Sequence, residues 1–488
     1  MDMMRAIYAP GTVRRNLDGH KILGLAVAAI LYLICLSGTL TVFYSAMEQW
    51  ETAAVPHLTA AGSRAVAAAV MEARAHAPTP GAEVGAGLPT PDYPRLVVAL
   101  NEDHRAYDAS GRYAGPANHP IVEALTDLHY SLHLPSTIGL IVVGLGGLVL
   151  VSLAVGGMLA HPRLFKDAFL WRWASGPRLS RTDLHNRIGV WAMPFHLAIA
   201  MTGALIGLGN VFILTVALTF HGGDTTRAAA PLLGPAALSA KEGRVGADAV
   251  TRALDVTRAH GTPYYLTINN PGTERESITT YVEVPDRLAY GEAYEFDSRG
   301  RLQARHHLLD GPAGRQVYAS LYKLHFGSFG GVWTLWAYTL LGLGLCLICT
   351  TGMDIWLLKS AQRGRPHPRL QGAWRAFVWG APAAMALAAL FTLLLGWDFK
   401  PVFWGLLVLA AAAGGYGTAL PVARACRLLL AGGLILLVGA QLGSVGAQGL
   451  SGASLAVNVV LLIVAAAILW GDLRGLFQPE RPTPEYRP

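Results

Sequence analysis

His20-Lys-Ile-Leu-Gly24 opens a long apolar run, and the glycine of Ser37-Gly38 lies eighteen residues after the histidine. His185-Asn-Arg-Ile-Gly189 opens a second run, with the glycine of Thr202-Gly203 at the same spacing of eighteen. Two more histidines each follow a leucine, in Leu128-His129 and Leu324-His325. Each precedes an apolar segment that ends in Gly-Met, Gly157-Met158 and Gly352-Met353. Ionisable side chains at the ends of membrane segments are costly, and a doubled set of them asks for a function. The pattern reads as a duplication: a membrane segment, an outer region, a second segment, then the same again.

Composition places the whole chain in the bilayer. Of 488 residues, 53% are hydrophobic and 14% are charged, against roughly a quarter charged in a typical soluble domain. The 55 glycines suit close helix packing in lipid. Eight apolar segments are long enough to cross about 30 Å of hydrocarbon, near 22–46, 137–160, 187–218, 329–358, 376–396, 402–420, 428–446 and 453–470. The first has no clear cleavage site after it and reads as a retained span. Basic residues cluster in alternate loops: Arg163, Lys166, Arg172, Arg178, Arg181 and Arg187, then Lys359, Arg363, Arg365, Arg369 and Arg375, then Arg424 and Arg427. The positive-inside rule then puts both termini in the cytoplasm. The net charge of +7 comes from these loops and implies no nucleic-acid partner. None of the four cysteines falls in an outer region, so no disulfide framework is expected.

The expected fold class is an α-helical integral membrane protein with about eight transmembrane helices and two small outer α+β domains. Its parts are 1–49 (N-terminal segment and first span), 50–128 (first outer domain), 129–220 (second and third spans with their cytoplasmic loop), 221–324 (second outer domain), 325–360 (fourth span), 361–375 (linker), 376–470 (a separate bundle of four helices) and 471–488 (cytoplasmic tail). The two outer regions look alike. Alanine-containing helical stretches at 60–77 and 239–260 lead into strand-like runs at 95–100 and 264–268. Asp108 to Gly111 and Asp297 to Gly300 then mark tight turns between strands.

Two histidines from two helices at one depth are what a bis-imidazole haem needs, an imidazole nitrogen on each face of the iron. The spacing pairs His20 with His185 at the cytoplasmic boundary and His129 with His325 at the outer boundary, giving two haems that could carry electrons across the bilayer. His196 and His133 are alternates. On a continuous helix His196 lies about 20° around from His185 and roughly 16 Å deeper, and His133 follows His129 at i+4. Either could instead be an ordinary hydrogen-bonded or interfacial histidine. No Gly-x-Gly-x-x-Gly follows a strand and no phosphate loop occurs. The electron donor is therefore expected to be a quinol or a redox partner.

The blocks His20 to Gly38, Leu128-His129-Tyr-Ser-Leu, His185-Asn-Arg-Ile-Gly-Val-Trp-Ala-Met-Pro194 and Leu324-His325-Phe-Gly-Ser-Phe-Gly-Gly331 resemble the PepSY-associated transmembrane family. The resemblance covers residues 1–360. It implies that the outer regions are periplasmic PepSY-like domains and that the protein sits in a bacterial inner membrane. It also implies b-type haem on His20, His129, His185 and His325, with delivery of electrons to a ferric siderophore or other ferric chelate. The competing expectation is non-enzymatic: a PepSY membrane regulator of peptidases or of envelope signalling.

Overall fold

In the computed structural model the described residues are 10–160, 169, 176–234, 243–284, 287–416 and 419–477. Arg163, Lys166, Arg172 and the end of the tail lie outside them. The first repeat runs α1 (Pro10–Thr41), α2 (Tyr44–Glu51), α3 (Ser63–Ala75), β1 (Val84–Gly87), β2 (Leu96–Leu100), β3 (Asp103–Tyr107), β4 (Tyr113–Pro116), α4 (Pro120–Ser131) and α5 (Ser136–Leu159). The second runs α6 (Pro177–Trp191), α7 (Met193–Phe220), α8 (Thr225–Leu233), α9 (Ala247–Arg258), β5 (Thr262–Asn269), β6 (Ser277–Glu283), β7 (Glu292–Phe296), β8 (Leu302–Arg305), α10 (Ala313–Phe326) and α11 (Gly331–Gln362). Four more helices follow: α12 (Pro368–Leu395), α13 (Phe399–Tyr416), α14 (Ala419–Val445) and α15 (Gly452–Phe477). Among the described residues eight helices are long and apolar enough to cross a membrane: α1, α5, α7 and α11 to α15. The chain is a multi-pass membrane protein.

The two outer regions do not stay apart as two sheets. They join into one antiparallel sheet of eight strands in the order β4-β3-β2-β1-β5-β6-β7-β8. The seam pairs Val84 with Ile268 and Gly87 with Tyr265. Strand β1 has only four residues, and joining it to β5 removes an open edge from each repeat. Val66, Val70 and Ala73 of α3 and Val250, Ala253 and Leu254 of α9 are buried in one core with Leu96, Val98, Leu266, Ile278 and Phe296. Each half ends its third strand in the same turn. Asp108 Oδ1 accepts the backbone N–H groups of Ser110 and Arg112, and Asp297 Oδ1 those of Arg299 and Arg301.

Two boundaries differ from the sequence expectation. The third apolar segment is two helices, broken at Ala192, so His185 and His196 do not share one helix. Pro194 lacks an N–H and cannot continue the ladder from α6. His129 and His325 sit on α4 and α10, ahead of the spans. Helix α4 ends in left-handed residues, Leu132 at φ 54° and His133 at φ 60°, and α10 ends at Gly327, φ 70°. These turns let each short helix lie between the sheet and its span.

The last four helices are not a detached bundle. Tyr32 of α1 donates to the Val378 carbonyl of α12 at 2.7 Å, Lys400 pairs with Asp127 at 2.6 Å, and Trp50 Nε1 donates to Asn458 Oδ1 at 2.8 Å. Ala28, Leu33 and Leu36 of α1 share a core with Ala381, Ala388 and Phe403. Every one of these hydrogen bonds and ion pairs reaches the first repeat.

Candidate functional site

The four boundary histidines meet in two pairs. His20 on α1 and His185 on α6 have ring centres 6.3 Å apart with planes at 90°. His129 on α4 and His325 on α10 have ring centres 6.0 Å apart with planes at 24°. The second pair lies on the sheet side. His129 reaches Ile34 of α1, and the fourteen residues from His20 to Ile34 put the two levels about 20 Å apart along the helix.

Hydrogen bonds fix the same tautomer at all four rings. His20 Nδ1 donates to the Leu153 carbonyl at 3.0 Å, and His129 Nδ1 to the Ile34 carbonyl at 2.9 Å. A carbonyl can only accept, so the proton sits on Nδ1. His185 Nδ1 meets Thr351 Oγ1 at 3.1 Å, and His325 Nδ1 meets Thr202 Oγ1 at 3.0 Å. Both threonines already donate to backbone carbonyls, of Leu347 and Ala198, so they accept from the rings. Each Nε2 keeps its lone pair, and among the described residues it has no hydrogen-bond partner. Ligating imidazoles are commonly oriented in this way by a bond from the other ring nitrogen.

The glycines marked by the repeat stand against the rings. A Cβ on Gly38 would lie 2.5 Å from His129 Cε1, and one on Gly203 2.9 Å from His325 Cε1. At the other level the figures are 3.1 Å from Gly157 to His20 and 3.4 Å from Gly352 to His185. A cavity of about 180 Å³ adjoins His129 and His325, walled by Leu31, Ile34, Gly147, Ile199 and Gly207.

This arrangement fits a tetrapyrrole iron. Imidazole nitrogens about 2 Å from a metal on opposite faces, with ring centres about 1 Å behind them, would stand roughly 6 Å apart. Both pairs have that separation and free Nε2 atoms, and the outer pair has apolar walls.

The alternates are placed elsewhere. His133 Nε2 donates to the Ala124 carbonyl at 2.7 Å and its Nδ1 accepts from Trp404 Nε1 at 3.0 Å, so both nitrogens are used within the protein. His196 is buried with an unpartnered Nε2. Its one ring neighbour among the described residues is Phe195, and it joins neither pair. Sequence reasoning missed Thr202 and Thr351 as the groups that orient the rings, although Thr202 stood beside Gly203 in the quoted repeat.

A duplicated membrane core with two imidazole pairs beneath a shared sheet defines a multi-pass membrane protein with candidate ligand sites at two depths. The chain belongs to the family described as the PepSY-associated TM region, which matches residues 17–359. It is similar to an uncharacterized protein of Pseudomonas aeruginosa, 31% identical over 301 residues that make up 58% of this chain and 74% of the relative. The family match ends before α12, so the last four helices lie outside it.

Proposed function

We propose that this protein is a di-haem reductase of a bacterial inner membrane. In this reading His20 and His185 hold one b-type haem, and His129 and His325 hold the other. Bis-imidazole haem supplies reversible one-electron transfer when bound. The chain's own part is to present four neutral imidazoles with Nε2 exposed, to exclude water with apolar helices, and to set the two levels near opposite faces. The observation that carries the reading is the matched separation, 6.3 Å and 6.0 Å, of two ring pairs whose Nδ1 atoms are all committed.

The acceptor proposed is a ferric chelate on the sheet side, taken from Fe(III) to Fe(II) by one electron. Hard oxygen donors hold Fe(II) less firmly, so reduction loosens the chelate. The donor proposed is a quinol or a redox partner on the opposite side, and the basic loops support the reading that this side, with both termini, is cytoplasmic.

The test uses protein purified in detergent and reduced under anaerobic conditions. Adding a ferric siderophore should return the α-band to its oxidised form at a rate set by chelate concentration, with Fe(II) appearing stoichiometrically. A reduced spectrum that persists with every ferric chelate tried would defeat the assignment. A colourless preparation would instead favour a regulatory PepSY protein.

A further inference from the structure

The two repeats differ sharply at one place in the sheet domain. His104 on β3, His119 just before α4 and Glu123 in the first turn of α4 come together, each offering a ligand atom within 4.8 Å of the others. Glu123 Oε1 lies 3.7 Å from His119 Nε2 and 3.8 Å from His104 Nδ1. The imidazoles face each other with ring centres 4.7 Å apart. His119 is 1% exposed, while the Glu123 side chain is 39% exposed, so the cluster is built inward and opens outward.

The second repeat supplies an internal comparison. Asp108 and Asp297 hold equivalent turns, so His104, four residues before Asp108, corresponds to Ala293. Ala117 N–H donates to the His104 carbonyl as His306 N–H does to that of Ala293, so His119, two residues on, corresponds to Leu308. Glu123 stands six residues before His129 as Ala319 stands six before His325. Ala293, Leu308 and Ala319 form one buried apolar cluster with Ala289. The fold closes this corner with alanine and leucine in one copy. It therefore does not need two histidines and a glutamate in the other.

We infer that His104, His119 and Glu123 form a binding site for a divalent first-row transition-metal ion. Two imidazoles and a carboxylate with room for a further ligand are a common set for Zn(II) and Fe(II). Ligand atoms at about 2 to 2.2 Å from a metal stand roughly 3 to 3.6 Å from one another, so the two glutamate–histidine spacings need only a few tenths of an ångström of closure, and the histidine–histidine spacing lies within 4.8 Å. His119 already has the expected support. Its Nδ1 donates to the Ala117 carbonyl at 3.0 Å, leaving Nε2 to ligate. In the structure the Tyr44 hydroxyl donates to that Nε2 at 3.1 Å, so an ion must displace this one bond, after which the hydroxyl can turn to a metal-bound water.

The site also lies on the outer pair's own helix. Glu123 precedes His129 by six residues, about 9 Å along α4. A role in receiving the Fe(II) released from a reduced chelate rests on the reductase reading above; the metal site itself does not.

Zn(II), which is redox-inert, separates the two. Full-length protein in detergent should bind one Zn(II) per chain by calorimetry and by metal analysis after dialysis. H104A and E123Q should each weaken binding at least tenfold. The triple variant H104A/H119L/E123A, which copies the second repeat, should keep its elution volume and melting profile and lose the ion. Absence of stoichiometric Zn(II), or equal binding by the triple variant, would overturn the site. Haem is measured on the same samples. Zn(II) bound by a haem-free chain supports the site while removing the reductase reading, and a di-haem chain that binds no Zn(II) does the reverse.

Discussion

Each boundary histidine has its Nδ1 proton held by a backbone carbonyl or by a threonine hydroxyl that can only accept. That tautomer leaves Nε2 free on each of the four rings, and Gly38 and Gly203 make room for the rings beside them. Gly38→Val should push His129 off its position, because the first added carbon already lies 2.5 Å from the ring. Preparations of this variant should lose the outer haem and keep the inner one, read as about half the haem absorbance per chain. Full haem content in the variant would show that the ring is not held as described. The sequence made the histidines and glycines visible through their repeated spacing. It could not show Thr351, which carries no repeat partner: its counterpart at the same distance before Gly157-Met158 is Gly156, and the first repeat uses the Leu153 carbonyl instead.

At the scale of elements, α4 is the piece that connects the membrane to the sheet, and its two ends are fixed from outside. Glu51 of α2 accepts the backbone N–H groups of Ile121 at 2.8 Å and Val122 at 3.0 Å, capping the helix start. Burial pushes the Glu51 carboxyl up to about 7, against the pull of those two donors. A folded-state value above the unfolded 4.5 means that the native state binds more protons, so this group's contribution is full below about 4.5 and is lost as pH rises through about 7. Thermal unfolding followed across that window should show wild-type stability falling with pH and a flatter profile for Glu51→Gln. The same slope in both would remove Glu51 as the cause. At the other end, Leu132 and His133 adopt left-handed backbone. Sequence periodicity could not reveal the break at Ala192, because apolar residues run on through it, and the left-handed turn at Leu132-His133 carries no glycine to mark it. The paired strands and the Asp-Gly turns were legible, since each is written locally. The seam between β1 and β5 was not, because it joins residues far apart in the chain.

In the whole molecule the duplication is unequal. The second repeat stands beside the first, while α12 to α15 are tied to the first through a closed set of hydrogen bonds. Trp50 Nε1 donates to Asn458 Oδ1 at 2.8 Å, Asn458 Nδ2 donates to Gln441 Oε1 at 3.0 Å, and Gln441 Nε2 donates to the Trp50 carbonyl at 3.2 Å. All three residues are buried. Asn458→Leu strands the Trp50 N–H and the Gln441 oxygen together, at a cost of about 1–3 kcal/mol for each group left unpaired. Its melting temperature in detergent should fall clearly below wild type. An unchanged melt would mean that this set of hydrogen bonds does not hold the last four helices in place. The sequence shows these helices as spans and gives no hint of where they sit, because the docking residues are single polar side chains scattered over 408 positions.

The most direct measurement is haem quantitation per chain by the pyridine haemochrome method, on wild type and on one variant from each pair. Wild type should carry two b-type haems, H20A one with the outer haem retained, and H129A one with the inner haem retained. Protein that folds and carries no haem, or equal haem in wild type and both variants, would contradict the di-haem assignment.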